Sequence, residues 1–170
     1  MPIYISSQQP IIGAEKAVHI ATAGSDRTGP RLQFQSHSNW LLIPGAGKMA
    51  EADENTPGIY TAGQLQCMAV IAAKFNANGS WKSCRLAHIS SGKHSLLDKM
   101  EQEYIDAETY MVIGAKPGSL GWMKIIRDRF VNTVKNVWIY VGDVKGVKSP
   151  DFGMNQAGYF GETVSWVRAV

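Results

Sequence analysis

Between Thr61 and Ser91 the chain reads TAGQLQCMAVIAAKFNANGSWKSCRLAHISS, and this stretch constrains the fold more than any other. Cys67 to Phe75 is short, apolar and free of Gly and Pro, Trp81 to Ser90 has the length of a returning strand, and Asn76-Ala77-Asn78-Gly79 supplies residues that tolerate left-handed backbone in a hairpin turn. If all four turn residues form the loop, Phe75 pairs with Ser80 and Cys67 stands opposite His88; if only Asn78-Gly79 forms it, Cys67 stands opposite Ser90. Side chains alternate faces with period two, so both registers leave Cys67 and His88 on one face, opposite or diagonal, roughly 5 to 8 Å apart at Cβ.

A thiol beside an imidazole is the minimal nucleophile and base. The imidazole takes the thiol proton, and an ion pair between them would lower the thiol pKa below its free value of about 8.5. Thr61, six residues ahead of the cysteine, offers a hydroxyl that would hold the imidazole in one tautomer, as the third member of a triad does. The plainer alternatives are a small buried cysteine and a strand histidine bonded to a carbonyl.

Thr61, Cys67 and the Ala87-His88-Ile89 run resemble the cysteine glutamine deamidases, which include the chemotaxis-receptor deamidases, the cytotoxic necrotizing factors and the Burkholderia lethal factor. Members of that family carry a threonine six positions ahead of the nucleophile and a histidine on the second strand followed by an apolar residue. Gln66 stands where the family has Ser or Gly. The resemblance implies a layered α/β/β/α arrangement, a Cys67-His88-Thr61 site and an oxyanion hole of backbone N–H groups near Gln66 and Cys67. It also implies a protein substrate carrying a target glutamine, no cofactor, and the biological role of a bacterial effector or toxin.

A chain of 170 residues with 45% hydrophobic residues suits one domain, residues 1–170. The net charge of +3 is spread over scattered Lys and Arg, which argues against a nucleic-acid partner. Cys67 and Cys84 lie several pairs out of alignment in the two strands, too far for a disulfide, so the protein fits a reducing compartment; Cys84 reads as packing. Ser6-Ser7-Gln8-Gln9-Pro10 interrupts the first apolar run, so no signal peptide is expected, and no run approaches the ~18 apolar residues of a membrane span. A soluble monomer, cytoplasmic where made, is the expectation, and delivery into a target cell by a dedicated secretion system would leave no such signal.

Outside the hairpin, Ile3-Tyr4-Ile5 and Ile11-Ile12 are short apolar runs, and Glu15 to Ala23 suits a strand or a helical turn equally. Gly24 to Pro30 reads as a turn, Arg31 to Ser38 alternates as a half-exposed strand, and Trp40 to Ile43 reads as a buried one. Gly45-Ala46-Gly47-Lys48 suggests a phosphate loop, but Met49 occupies the position that needs a hydroxyl. Lys48 to Pro57, acidic and turn-rich, reads as an exposed loop or lid; with the polar loop Ser90 to Ser95 it would border an open groove over Cys67. His94 there reads as a solvated loop histidine, with contact to substrate as the alternative. Leu96 to Ala107 has helical spacing. Thr109 to Gly114, a helix carrying Leu120, Met123, Ile126, Phe130 and Val134, and Val137 to Val141 form a crossover that makes parallel neighbours, so a second, mixed sheet is expected. Gly142 to Gly158 reads as loop and irregular chain, and Glu162 to Val170 as a last strand.

The fold class is therefore α+β, with mixed sheets, helices outside and a catalytic β-hairpin. Metal is not expected, because Cys67, Cys84 and His88 lack CxxC or HxxxH spacing. The function this points to is a cysteine-dependent amidohydrolase that deamidates protein glutamine through a thioester. The alternatives are a chemotaxis-receptor-type deamidase, a protease, amidase or transglutaminase sharing the first chemical step, and a non-catalytic adaptor on the same scaffold.

Overall fold

A computed structural model describes residues 3–5, 9–11, 17–22, 40–43, 45–62, 67–90, 95–103, 107, 109–114, 136–141, 151–162 and 166–168. In chain order the strands are Ile3–Ile5 (β1), Gln9–Ile11 (β2), Ala17–Thr22 (β3), Leu41–Ile43 (β4), Lys48–Asp53 (β5), Gly58–Thr61 (β6), Met68–Phe75 (β7) and Trp81–Ile89 (β8). Helix α1, Ser95–Glu103, comes next, then Thr109–Gly114 (β9), Asn136–Val141 (β10), Phe152–Asn155 (β11), Tyr159–Glu162 (β12) and Trp166–Arg168 (β13). They form an eight-stranded sheet, β2-β1-β3-β10-β9-β7-β8-β5, and a five-stranded sheet, β13-β12-β11-β6-β4. The architecture is a sheet-rich α+β fold, and Pro10 sits in the edge strand β2, the place in a sheet that tolerates proline.

β7 is inside the large sheet, between β9 and β8, and Met68 to Ala73 are all buried, which is why that stretch is apolar on both faces. β8 alternates. Cys84 and Leu86 join Ala69, Ile71 and Ala73 of β7, Ala52 of β5, and Ile43, Ile59, Phe152, Met154 and Phe160 of the small sheet in one buried cluster. The opposite face carries Arg85, whose guanidinium bonds Glu51 on β5 at 2.6 Å and Glu103 on α1 at 2.7 Å. The helix therefore lies on the face of β8 that the small sheet does not use, with Leu97 and Met100 buried.

At the hairpin turn Asn76 N–H donates to Ser80 O (2.7 Å) and Gly79 N–H to Asn76 O (3.0 Å), with Gly79 at φ 87°. A bulge interrupts the ladder just beyond: Phe75 pairs with Trp81 but Lys74 with Ser83. The extra residue, Lys82, puts the body of the hairpin in the register that continues from Met68↔Ile89 to Cys67 opposite Ser90. Cys67 is thus diagonal to His88.

Several expectations change. Lys48 to Asp53 is no loop or lid but the edge strand β5, paired with β8. Its hydrophilic composition is that of an edge: Lys48, Glu51 and Asp53 are exposed while Ala52 packs in the core. The turn is confined to Asp53 to Thr56, where Thr56 N–H donates to Asp53 O at 3.2 Å and Asp53 Oδ1 accepts the Asn55 N–H at 2.9 Å. Asp151 to Gly158, expected as irregular, contains β11 and the turn of the β11–β12 hairpin, and that Asn155-Gln156-Ala157-Gly158 turn repeats the chemistry of the first: Gly158 N–H donates to Asn155 O at 3.0 Å. The Trp40 to Ile43 run is only partly buried, since Leu42 is 45% exposed. β9 and β10 are parallel neighbours as expected, but in the hairpin's own sheet and not a second one. The undecided Glu15 to Ala23 segment contains β3. The strand expected over Arg31 to Ser38, the turn before it, the helix of residues 118–134 and the loop 142–150 lie outside the described residues. No helix among the described residues is long and apolar enough to cross a membrane.

Candidate active site

Thr61 ends β6 in the small sheet, and His88 stands one residue from the end of β8 in the large one. Both are buried, at 0% and 2% exposure, and Thr61 Oγ1 lies 2.7 Å from His88 Nδ1. The hydroxyl also donates to Ile43 O at 2.9 Å. A carbonyl can only accept, so the single hydroxyl proton goes to Ile43 and the oxygen accepts from an Nδ1–H. In the neutral imidazole this leaves the lone pair on Nε2, the tautomer a general base needs. The same bond serves the imidazolium, whose Nδ1–H also donates.

Cys67 directly precedes β7, two residues ahead of Ala69, the register partner of His88. Strand periodicity carried to that position puts it on the face of Ala69 and His88. It is partly exposed, and it is a free thiol, as is Cys84. Cys84 pairs with Ala73 and Ala52, is fully buried, and belongs to the packed cluster. Gln66 and His94 lie outside the described residues, as does 91–94 of the loop expected to border a groove. No group of three or more His, Cys, Asp or Glu among the described residues could hold a metal ion.

The electrostatics reverse one expectation. Burial pushes the Cys67 thiol up from its ordinary value, and burial of the imidazole pushes His88 down. Burial thus favours the neutral form of each group, where the sequence suggested an ion pair with a lowered thiol pKa. Burial, with Glu51 adding to it, raises Cys84 well above the ordinary thiol value, which suits an inert packing residue.

Two backbone groups escaped the sequence reading, both in the connection from β4 to β5. At its start, the Ile43 carbonyl accepts the hydrogen bond of the Thr61 hydroxyl. At its end, Gly47 N–H donates to His88 O at 2.8 Å while Lys48 is the register partner of His88. Two residues thus oppose one, and Gly47 has φ 79°, the form of bulge that takes a left-handed glycine in its first position. The Gly45-Ala46-Gly47-Lys48 run that suggested a phosphate loop is the corner that carries the chain from one sheet to the other. The legible signal was a Gly at a strand entry; that it would oppose the histidine was not legible. No protein-family model matches the chain, and no curated protein matches it in sequence.

Proposed function

We propose that the chain is a cysteine hydrolase that deamidates glutamine side chains of a protein substrate. The observation that carries this reading is the buried Ile43 O···Thr61 Oγ1···His88 Nδ1 relay, with bonds of 2.9 and 2.7 Å, which leaves Nε2 as the basic nitrogen on a strand adjoining Cys67. A core histidine needs one carbonyl partner and no hydroxyl between, so the relay supports a catalytic imidazole over a packed one.

In this mechanism Nε2 of His88 takes the thiol proton as Cys67 Sγ attacks the carboxamide carbon. Backbone N–H groups at Gln66 and Cys67 receive the negative oxygen. The imidazolium returns its proton to the departing nitrogen, ammonia leaves, and a thioester remains. Water, deprotonated by His88, then cleaves the thioester to give glutamate and the free thiol. Thr61 acts through the imidazole and keeps Nδ1 protonated throughout. No cofactor is required by these steps.

The finer fold reading, a layered α/β/β/α arrangement, is supported by β8, with the helix α1 on one face and small-sheet residues on the other. A monomer made in the cytoplasm and delivered as a bacterial effector or toxin, acting on a protein of another cell, is the role the family likeness suggests.

Intact-mass spectrometry of glutamine-containing proteins and peptides incubated with the enzyme tests the reading. A gain of about one dalton, lost in Cys67→Ser and His88→Ala, is the expected result. Peptide cleavage would assign a protease and amine incorporation a transglutaminase. No change in any substrate, with Cys67 unreactive to alkylation below pH 8, would leave a non-catalytic scaffold.

A further inference from the structure

The face of the large sheet that carries His88 changes character within one residue step. Reading towards the site, β8 and β5 present the register pairs Cys84↔Ala52, Leu86↔Ala50 and His88↔Lys48. The first two pairs are in or against the buried cluster. By strand period Lys48 therefore shares their face and that of His88, with Cβ atoms in such pairs about 5 Å apart. Its side chain is exposed, and it forms no ion pair among the described residues. Other exposed charges of β5 differ: Glu51 is held by Arg85 on the opposite face, and the Asp53 carboxylate is engaged by its own turn.

The backbone beneath Lys48 is also fixed. Bulges re-aim the side chain that comes after them, and this one is pinned by the 2.8 Å bond from Gly47 to His88 O. A flexible ammonium is thus rooted one strand from the base, at the boundary between packed core and solvent. A neutral glutamine makes no use of a cation. A carboxylate beside that glutamine does.

Resting on the deamidase reading, we infer that Lys48 is the anion-selecting residue of the Cys67–His88 site, and that the substrate presents its glutamine next to an Asp or Glu. Lys48 pairs with that carboxylate while His88 and Cys67 act on the carboxamide. It is a specificity residue and takes no part in proton transfer.

The first test needs no substrate. Alkylation of Cys67 by iodoacetate and by iodoacetamide, followed by peptide mass spectrometry, compares an anionic with a neutral reagent of the same shape. The ratio of the two rates falls about threefold in Lys48→Gln, the size of an exposed ion pair. It stays unchanged in Lys82→Gln, which removes the same charge at the far end of β8, and the Lys48 effect disappears in 1 M salt, where the Debye length is about 3 Å. An unchanged ratio in Lys48→Gln, or an equal fall in Lys82→Gln, overturns the inference. The second test compares glutamine peptides flanked by Glu, Ser or Lys. The wild type prefers the Glu peptide through KM, Lys48→Gln loses that preference about threefold, Lys48→Glu favours the Lys peptide, and kcat on the Ser peptide holds. Turnover without a Glu preference overturns the inference. Absence of all turnover, with an alkylation ratio that still responds to Lys48, removes the deamidase reading and keeps Lys48 as the anion-selecting residue beside the thiol.

Discussion

At its Trp81 end the β7–β8 hairpin buries an indole and ties three turns together through main-chain groups; at its His88 end it buries a hydroxyl and an imidazole bonded to each other. Trp81 is 0% exposed and its Nε1–H donates to Asp53 O at 2.9 Å. Its backbone N–H donates to Gln156 O (2.9 Å), Gln156 N–H to Pro57 O (2.9 Å), and Gln156 Nε2 to Glu54 O (2.8 Å). Most partners there are peptide groups, so the bonds survive a change of neighbouring side chain. At the other end two side chains, Thr61 and His88, are bonded to each other, and removing either takes a hydrogen-bond partner from the other in the interior. One end is suited to hold the sheets, the other to do chemistry, and substitutions at the two should separate stability from turnover.

The largest effect tests that separation. Cys67→Ala should lower turnover by 10³-fold or more, in line with the ~10²-fold to 10⁴-fold range of catalytic group deletions, while the thermal midpoint moves by no more than about 2 °C. A collapse of stability instead would make Cys67 a core residue.

Trp81→Ala should do the reverse. Loss of a fully buried aromatic costs roughly 3–5 kcal/mol in urea unfolding, and turnover per folded molecule should stay within about twofold. A selective loss of turnover would show that the ends are not independent.

Thr61→Val keeps the shape and deletes the hydroxyl. Turnover should drop about 10²-fold and stability by roughly 1–3 kcal/mol, because His88 Nδ1 and Ile43 O both lose their partner. Thr61→Ser, which restores the hydroxyl, should recover most of the rate. Equal rates in both variants would remove Thr61 from the site.

Gly47 and Gly45 sharpen the comparison further, since neither has an atom within 4 Å of where a Cβ would stand. Only Gly47 is left-handed, at φ 79°. Gly47→Ala should therefore cost about 1–2 kcal/mol through backbone strain and also reduce turnover, while Gly45→Ala stays within about 0.5 kcal/mol.

The smallest effect is with pH. His88 has its folded pKa lowered by burial, so above the unfolded value of about 6.5 both states are neutral and stability is flat. Below about 6.5 the unfolded chain takes a proton that the native site resists, and stability falls until the folded pKa is passed. Urea midpoints between pH 5 and 8 should show this slope, reduced in His88→Gln.

That Cys67 and His88 fall on one face was readable because strand period two survives an even error of register: a hairpin slipped by two residues still leaves both side chains on one face. The same robustness hid the register itself, which depends on the bulge at Lys82 and hence on how Trp81 packs against residues more than seventy positions away. Lys48 to Asp53 failed for a related reason. An edge strand exposes what a loop exposes, and only its pairing to β8, a distant contact, tells them apart. The strand within Asp151 to Gly158 was missed because its Gly153 faces Gly161 across the ladder, and glycine carries no strand signal. The Ile43 carbonyl was beyond any reading of residue types, since every residue has one.

The Thr61–His88 bond also joins the two sheets, because its donor and acceptor belong to different ones. Drawing the sheets apart by about an ångström along this bond would stretch the 2.7 Å contact past hydrogen-bond range. The imidazole thereby works as a gauge of sheet alignment. Pressure, a ligand wedged between the layers, or an insertion in the short β4–β5 corner would each act on the one bond that fixes the orientation of that ring.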